Sequence, residues 1–431
     1  MEVIKYEHVE ETLYRKILDN GLEVVVLHKP DFKKTYATFS TKYGSIDNHF
    51  SVGDQPEIRV PDGIAHFLEH KMFEEPEGYD DVFTTFAKYG ASANAYTSFD
   101  RTVYLFSATD HIQENVLALV DYVQRPYFTE ENVNKEKGII EQEINMYGDN
   151  PDWRVYYGLI EALYQKIPVR IDIAGTVESI YKIDKDTLYR CYETFYHPQN
   201  MLLFVVGHES PEKIISLVEE NQKQKNFKPL GEINRYFEKE PNEVAEKRKI
   251  KHLPVSMPKV MMGFKEKEVN LSGEELVREE VITKLLLDII FSSSSKLYQQ
   301  LYDEKIIFDS FGFEYNCSPL YSFSVIGGDT PNPDLLVTKV SDAIKELQQK
   351  GIAETDFERV KRKKVGNYLR MLNSPEAIAS EYTKFRFRQA DMFNVLKYYQ
   401  SCTIEDVNRR LKEHFDFDQL AISIVESAPQ A

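Results

Sequence analysis

The order of predicted strands and helices occurs twice along this chain, and that repetition constrains the fold more than any other feature. Each half begins with strand-like runs, continues through helical segments and a β-hairpin, and ends with a short apolar strand. The strand and hairpin segments lie at 21–30, 34–47, 92–109 and 200–207 in the first half and at 259–269, 308–330 and 420–427 in the second. We therefore predict an α+β protein with two homologous α/β-sandwich domains, each a mixed, largely antiparallel sheet flanked by helices.

A charged segment, residues 223–255, separates the two repeats and has the composition of a linker that crosses a surface. We predict an N-terminal domain over 1–225, a linker over 226–255 and a C-terminal homologous domain over 256–431.

The composition is that of an ordinary globular protein, with 42% hydrophobic and 29% charged residues, so a packed core is expected. The formal net charge of -17 disfavours nucleic acids and anionic membranes as partners. No run of about 18 apolar residues and no apolar signal segment at the start is found. The three cysteines have no CxxC spacing, which is typical of a reducing compartment, so we expect a cytoplasmic protein.

The segment GIAHFLEHKMFEE at 63–75 carries an inverted H-x-x-E-H motif. His66 and His70 are spaced i, i+4, so on a helix both rings project from one face and can hold a single ion. Glu69 lies between them and reaches the same ion. A chance match is expected only about 0.02 times in a sequence of this composition. The motif therefore predicts a metal site with an adjacent carboxylate.

Zinc hydrolases use three protein ligands and keep one position open for a water molecule. The third ligand is expected on a helix that begins after a cap at Thr129 and continues toward Tyr147. This helix presents Glu136 and Glu143 on one face. We assign Glu143 as ligand and Glu136 as a supporting residue that orients a histidine or the ligand helix. Glu141 points about 160° away from Glu143 and is a poorer candidate. The alternative for Glu136 is a surface glutamate that only solvates the helix.

These residues resemble the pitrilysin, insulinase and mitochondrial processing peptidase family of inverted-motif zinc peptidases, and within it the YmfH-type subgroup of Gram-positive bacteria. The resemblance continues in family order and approximate spacing over most of residues 20 to 210. It is carried by the segments GIAHFLEHKMF, GASANAYTSFDRTVY, EKGIIEQEINMYGDNP, VRIDIAGTVESI and YHPQNMLLFVVG. Several separate motifs in one order make the resemblance specific.

The resemblance implies that His66, His70 and Glu143 bind zinc, that Glu69 is the general base and that Glu136 supports the site. It also implies that the two domains form a half-shell of a clam-shell peptidase, in which two half-shells enclose an unfolded peptide.

Asn94, Ala95 and Tyr96 match the edge strand on which the family lays the substrate backbone. This is β-augmentation, in which main-chain hydrogen bonds give affinity without strict sequence preference. The alternative for Asn94 is a hairpin residue that satisfies only local backbone groups.

The second half departs from the family pattern. Members that complete their own chamber carry an arginine and a tyrosine in a segment that reads SKLYQQLYDEKIIFDS here. Tyr302 stands at the arginine position and Asp309 at the tyrosine position, and an aspartate opposes the negative charge that an arginine would bind. We therefore expect a heterodimer with a paralogue that lacks the zinc ligands and supplies both groups. A homodimer is the alternative.

The alternative is that this segment aligns differently or that another arginine binds the substrate in place of the family arginine. The candidates are Arg362, Arg386 and Arg388.

We conclude from the sequence that the chain is a zinc endopeptidase subunit acting on unfolded peptides. One competing class is a non-catalytic structural or interaction subunit of a peptidase-like complex. Another is a zinc hydrolase that acts on an amide other than a peptide.

Overall fold

A computed structural model of the protein describes residues 1–267 and 271–429. The chain divides into two compact units, and each unit is built from segments that are distant in sequence. Unit 1 comprises Met1–Ile144, Asp172–Phe237 and Met371–Phe387, whereas unit 2 comprises Asn145–Ile171, Glu238–Arg370 and Arg388–Ala431. Each unit therefore takes one segment from the opposite half of the chain.

Unit 1 contains a seven-stranded sheet with the order β1-β2-β3-β9-β4-β8-β7 and a small sheet with the order β10-β5-β6. The strands are β1 (Glu2–Tyr6), β2 (Glu11–Ile17), β3 (Glu23–His28), β4 (Thr35–Thr41), β5 (His49–Val52), β6 (Ile58–Arg59), β7 (Ser92–Thr97), β8 (Thr102–Ala108), β9 (Met201–Gly207) and β10 (Ile233–Arg235). In the large sheet β3 and β9 are parallel, and the other neighbours are antiparallel. Strand β7 lies at one edge.

Helices cover both faces of the seven-stranded sheet. The helices of unit 1 are α1 (Ile64–Lys71), α2 (Val82–Lys88), α3 (Ile112–Val123), most of α4 (Glu130–Asp149), α6 (Val177–Tyr181), α7 (Lys185–Phe195), α8 (Pro211–Lys223) and α13 (Pro375–Phe387). Every residue of β9 is buried. Leu203 and Val205 belong to the core that also contains residues of α3 and α8, whereas Phe204 stacks on Tyr382 of α13 at a centroid distance of 4.4 Å. A continuous apolar run is what a strand covered on both faces requires.

Unit 2 contains a five-stranded sheet with the order β11-β15-β12-β14-β13. Its strands are β11 (Arg248–His252), β12 (Lys259–Phe264), β13 (Gly312–Cys317), β14 (Ser322–Asp329) and β15 (Leu420–Glu426). In this sheet β11 and β15 are parallel, and the other neighbours are antiparallel. The order and directions match β3-β9-β4-β8-β7 of unit 1 strand for strand, so both units contain one five-stranded topology.

The helices of unit 2 pack on this sheet and on each other. They are α5 (Pro151–Leu163), α9 (Gly273–Phe291), α10 (Lys296–Asp303), α11 (Pro333–Lys350), α12 (Glu354–Met371), α14 (Val395–Ser401) and α15 (Ile404–His414). Helix α5 contacts β11, β12 and β15. Short 3-10 turns occur at Pro168–Arg170, Pro198–Asn200, Met392–Asn394 and Phe417–Gln419.

The predicted fold class is confirmed, since mixed and largely antiparallel sheets are flanked by helices in both units. The predicted hairpins and closing strands are observed as β7-β8, β13-β14, β9 and β15. The connector is not featureless, because it contains β10, which pairs with β5, and β11, which pairs with β15. The strand predicted at 259–269 is observed as Lys259–Phe264, and positions 268 and 269 lie outside the described residues. None of the described helices has the length and apolar character needed to cross a bilayer.

Candidate metal centre

Helix α1, which carries the H-x-x-E-H motif, begins at a glycine that no other residue could replace without strain. Gly63 has a φ of 87°, in the left-handed region that favours glycine. A Cβ atom at Gly63 would lie 2.4 Å from the carbonyl oxygen of Ala174, and one at Gly175 would lie 2.5 Å from that of Asp62. The two glycines therefore allow two backbone segments to touch, and this contact fixes the start of α1.

His66 and His70 project from α1 on the same side, as their spacing predicts. Their ring centroids are 4.5 Å apart, with an interplanar angle of 62°. Burial and the neighbouring charge of His70 lower the pKa of His66 to about 3, so His66 is neutral near pH 7 and keeps a lone pair for a cation.

Helix α4 brings its own carboxylates to the two histidines. Val133, Glu136 and Ile140 are its buried residues, and Glu143 follows on the same face, seven residues after Glu136. A Glu143 oxygen lies 3.7 Å from His66 Nε2 and 3.5 Å from His70 Nε2. The structure thus brings together the three side chains that the sequence proposed as a ligand set.

The spacing of these three side chains fits a divalent cation. One ligand atom from each of His66, His70 and Glu143 lies within 4.8 Å of the others, and no other such group was found in residues 1–267 and 271–429. Ligand atoms about 2.1 Å from a tetrahedral zinc ion are about 3.4 Å from one another. The distances of 3.5 and 3.7 Å are therefore close to those of a zinc site. Two imidazoles and one carboxylate also match the ligand types that zinc prefers.

Glu136 contacts His70 and is not exposed to solvent as a surface glutamate would be. Nδ1 of His70 donates a hydrogen bond of 2.9 Å to Glu136 Oε1, and Glu136 is only 7% exposed. Burial acts to lower the pKa of His70, but this hydrogen bond and the negative charges of Glu136, Glu143 and Glu69 outweigh it and raise the pKa. Since Nδ1 is engaged by Glu136, Nε2 is the nitrogen left facing Glu143. His66 differs, because its buried Nδ1 has no hydrogen-bond partner among the described residues.

Lys71 is fully buried beside the same pair, and sequence reasoning missed it. Its Nζ donates to the Asn132 carbonyl at 3.3 Å and lies 3.2 Å from a Glu74 oxygen and 3.7 Å from Glu136 Oε2. Burial lowers the pKa of Lys71. The spacing in the sequence could have indicated this contact. Lys71 follows Phe67 by four residues and therefore lies on the apolar face of α1, where a buried cation needs a charged partner.

Glu69 lies close enough to His70 and Glu143 to interact with their charges, and it contacts a residue of the β7-β8 hairpin. The hydroxyl of Thr97 donates a hydrogen bond of 2.6 Å to Glu69 Oε2. Burial raises the pKa of Glu69, and the hydrogen bond from Thr97 offsets part of that rise. Sequence reasoning did not identify Thr97, because a threonine at the end of a predicted strand carries no signal of such a contact.

Strand β7 lies next to α1 and carries the proposed substrate residues at the open edge of the seven-stranded sheet. Asn94 is exposed, and its Oδ1 accepts the Ala95 backbone N–H at 2.8 Å, the local bond considered as the alternative role. Glu141 is turned toward α6, where its carboxylate accepts a hydrogen bond of 2.7 Å from the Tyr181 hydroxyl.

Tyr302 and Asp309, which the sequence analysis assigned to the arginine and tyrosine positions, lie in unit 2. Tyr302 is on α10, is 46% exposed and stacks on Tyr298, with the two ring planes 11° apart. Asp309 is exposed after α10. Neither side chain is cationic, so neither can bind a carbonyl oxygen or an oxyanion as a guanidinium does.

Each of the three arginines named as substitutes forms an ion pair. Arg362 lies 3.6 Å from Glu358 on α12, Arg386 lies 3.0 Å from Glu23 in unit 1, and Arg388 lies 3.2 Å from Glu280 in unit 2.

Comparison with known proteins identifies the family to which this fold and site belong. The Insulinase (Peptidase family M16) model matches residues 49–177, and the Peptidase M16 inactive domain model matches residues 182–364. The uncharacterized zinc protease YmfH of Bacillus subtilis is 50% identical over 420 residues, which are 97% of this chain and 97% of that protein. The crystal structure of an M16-like peptidase from Alicyclobacillus acidocaldarius superimposes with a TM-score of 0.94 at 40% identity, covering 98% of this chain and 100% of that one.

The chain belongs to peptidase family M16, the insulinase family, and the resemblance noted from its motifs is confirmed. A further structure with the same fold is the periplasmic protease PqqL of Escherichia coli, with a TM-score of 0.74 at 15% identity. This chain is matched over 99% of its length but spans only 48% of PqqL.

Proposed function

We propose that the protein is the zinc-binding subunit of an endopeptidase that hydrolyses unfolded peptides. The observation that carries this proposal is the meeting of His66, His70 and Glu143 at zinc-like distances, with the Glu69 carboxylate near enough to interact with the charges of His70 and Glu143. Membership of family M16 and the names of its relatives, which include several zinc proteases, support the same reaction class.

The roles of the residues follow from their contacts. Zinc, when bound, would act as a Lewis acid that lowers the pKa of water, so that water can be deprotonated and attack a carbonyl near neutral pH. His66, His70 and Glu143 would hold the ion, and Glu136 fixes the His70 ring with Nε2 on the side of Glu143. Glu69 takes a proton from the attacking water and later returns it to the leaving amine.

The substrate is proposed to bind as an added strand on β7, along Asn94, Ala95 and Tyr96. The support is that β7 is an edge strand and packs beside α1, which brings an added peptide backbone near the histidines. Because main-chain groups supply these hydrogen bonds, only an unfolded segment can bind, and sequence preference is weak.

The active enzyme is proposed to be a heterodimer with a non-identical paralogue that lacks the zinc ligands and supplies the arginine and tyrosine. Tyr302 and Asp309 leave this chain without either group at the matching positions. The span of 48% of PqqL is also consistent with a chain that forms half of a larger enzyme. A homodimer is the alternative arrangement.

We also propose a cytoplasmic location, supported by three cysteines that are all free and buried. Nucleic acid and membrane surfaces are not proposed as partners, given the net charge of -17.

The test combines metal analysis with peptide hydrolysis. The protein purified at native expression level should contain about one zinc per chain, and a quenched unstructured peptide should be cleaved in a chelator-sensitive manner by the protein with its partner. Glu69→Gln should keep the zinc and lose hydrolysis, whereas Glu77→Gln, in the exposed loop after α1, should cleave normally. A Glu69→Gln variant as active as the wild type would refute the role given to Glu69.

The two alternative functions, a structural subunit and a hydrolase of other amides, predict different results in these assays. A native sample that holds no metal and cleaves no peptide, even with every co-purifying chain present, favours a structural subunit. A zinc-loaded protein that cleaves small amides but no peptide favours a different hydrolase.

The partner is tested by identifying any second polypeptide that co-purifies and by measuring activity before and after it is added. If this chain has full peptidase activity as a monomer, no partner subunit is required and the heterodimer is refuted.

A further inference from the structure

Thr97 is the last residue of β7, the edge strand proposed to bind substrate. Among the described residues it makes the shortest polar contact with Glu69. Its hydroxyl donates to Glu69 Oε2 at 2.6 Å, the length of a charge-assisted O–H···O⁻ hydrogen bond. We infer that Thr97 is a positioning residue, which holds one oxygen of Glu69 so that the other oxygen faces the water to be deprotonated. This inference rests on the proposed function, in which Glu69 is the general base.

Thr97 is placed by the β7-β8 hairpin, in which it pairs with Thr102. The two Oγ1 atoms are 3.4 Å apart and only in packing contact, since each hydroxyl donates its proton elsewhere. Thr102 is fully buried and donates a hydrogen bond of 2.9 Å to the carbonyl of Tyr43, whose side chain is also fully buried. The donor to Glu69 is therefore anchored in the unit 1 core and does not depend on a mobile loop.

Such a donor is needed because a glutamate carboxylate is poorly oriented by its own torsions. Rotation about the last χ angle of glutamate is broad and roughly two-fold, so the torsion itself does not fix the directions of the two oxygens. A fixed hydrogen bond to Oε2 selects one orientation. General-base catalysis depends on this orientation, since proton transfer needs an oxygen within hydrogen-bond reach of the water.

The position of Thr97 also connects the base to the substrate strand. It follows Tyr96 directly, so a peptide added along Asn94–Tyr96 would pair with the same strand whose final residue contacts Glu69. A residue acting in this way affects turnover more than peptide affinity or metal affinity.

The experiment compares Thr97→Val, which removes the hydroxyl at nearly constant shape, with Thr97→Ser, which keeps it. Thr338→Val is the matched control, because the Thr338 hydroxyl also donates a hydrogen bond but is exposed on α11 of unit 2. All are assayed on the complete complex for kcat and KM, for zinc affinity by chelator competition, and for the orientation of Glu69 in crystals. For Thr97→Val we expect kcat to fall roughly 10- to 100-fold, with KM and zinc affinity within about two-fold of wild type.

In the same experiment Thr97→Ser should retain most of the activity, and the Glu69 carboxylate should turn in Thr97→Val crystals only. Wild-type kcat in Thr97→Val, or equal losses in the valine and serine variants, would overturn the inference. If the wild-type complex cleaves no peptide at all, the proposed function fails. The crystals then still decide the positioning role, which is refuted if Glu69 keeps its orientation without the hydroxyl.

Discussion

Replacing Glu136 tests whether a buried carboxylate that is not a ligand sets the metal affinity of this site. Glu136 Oε1 accepts the His70 Nδ1 hydrogen bond at 2.9 Å, and Oε2 lies 3.7 Å from the Lys71 ammonium group. Glu136→Ala leaves the Nδ1–H unpaired in a buried position and lets the ring turn. Both effects weaken zinc binding, as does the loss of a negative charge near the ion.

The expected size of the change follows from the kind of contact that is lost. Removing the carboxylate partner of a metal-bound histidine typically costs 10- to 100-fold in metal affinity, which is about 1.4 to 2.7 kcal/mol. Glu136→Gln keeps an acceptor for Nδ1 but not the charge, so its loss should be the smaller of the two. The measurement is a zinc titration in competition with a chromophoric chelator.

Glu131→Gln is the control for this titration, since Glu131 is an exposed residue in the first turn of the same helix. Its zinc affinity should equal that of the wild type. Unchanged zinc affinity in Glu136→Ala would show that Glu136 does not support the metal site, because the His70 ring would then be held without its hydrogen-bond partner.

Three other substitutions test the buried Lys71, the start of α1 at Gly63 and the buried Glu266. Lys71→Met should lower the free energy of unfolding by about 1 to 3 kcal/mol in urea titrations, because it leaves Glu136 buried without its cation; stability equal to wild type would contradict this. Gly63→Ala should reduce zinc content and the thermal midpoint together, since its Cβ would overlap the Ala174 carbonyl at 2.4 Å, and normal metal content would show that the start of α1 can move. Burial acts to raise the pKa of Glu266, but His414 and Arg410 hold it at about 2, below the unfolded value of 4.5, so its stabilisation is present at neutral pH and lost as the pH falls. Between about pH 6 and about pH 3.5 the free energy of unfolding of the wild type should therefore fall more than that of Glu266→Gln in urea-unfolding measurements, and parallel losses would contradict the shift.

The sequence predicted the elements of this fold better than their arrangement. Strong periodicity identified β9 and the β7-β8 hairpin, since a fully apolar run and an alternating pattern have few other interpretations. It could not show that α5 packs on the sheet of unit 2 or that α13 packs on the sheet of unit 1. Those contacts join segments far apart in the chain, and local patterns carry no information about them.

The same limit applies to the site. Side chains on one helix have positions fixed by helical spacing, so the pairs His66 with His70 and Glu136 with Glu143 could be read from residue numbers. That Glu136 would contact His70, and that Thr97 would contact Glu69, depends on how α4 and β7 dock against α1. Such docking is decided by packing, not by spacing within one element.

Anomalous diffraction at the zinc absorption edge shows whether His66, His70 and Glu143 bind one zinc ion. We expect a single strong anomalous peak about 2.1 Å from Nε2 of both histidines and from one oxygen of Glu143. Crystals of the zinc-treated protein with no peak between these side chains, or with Glu143 turned away from them, would show that the three residues do not form a zinc site.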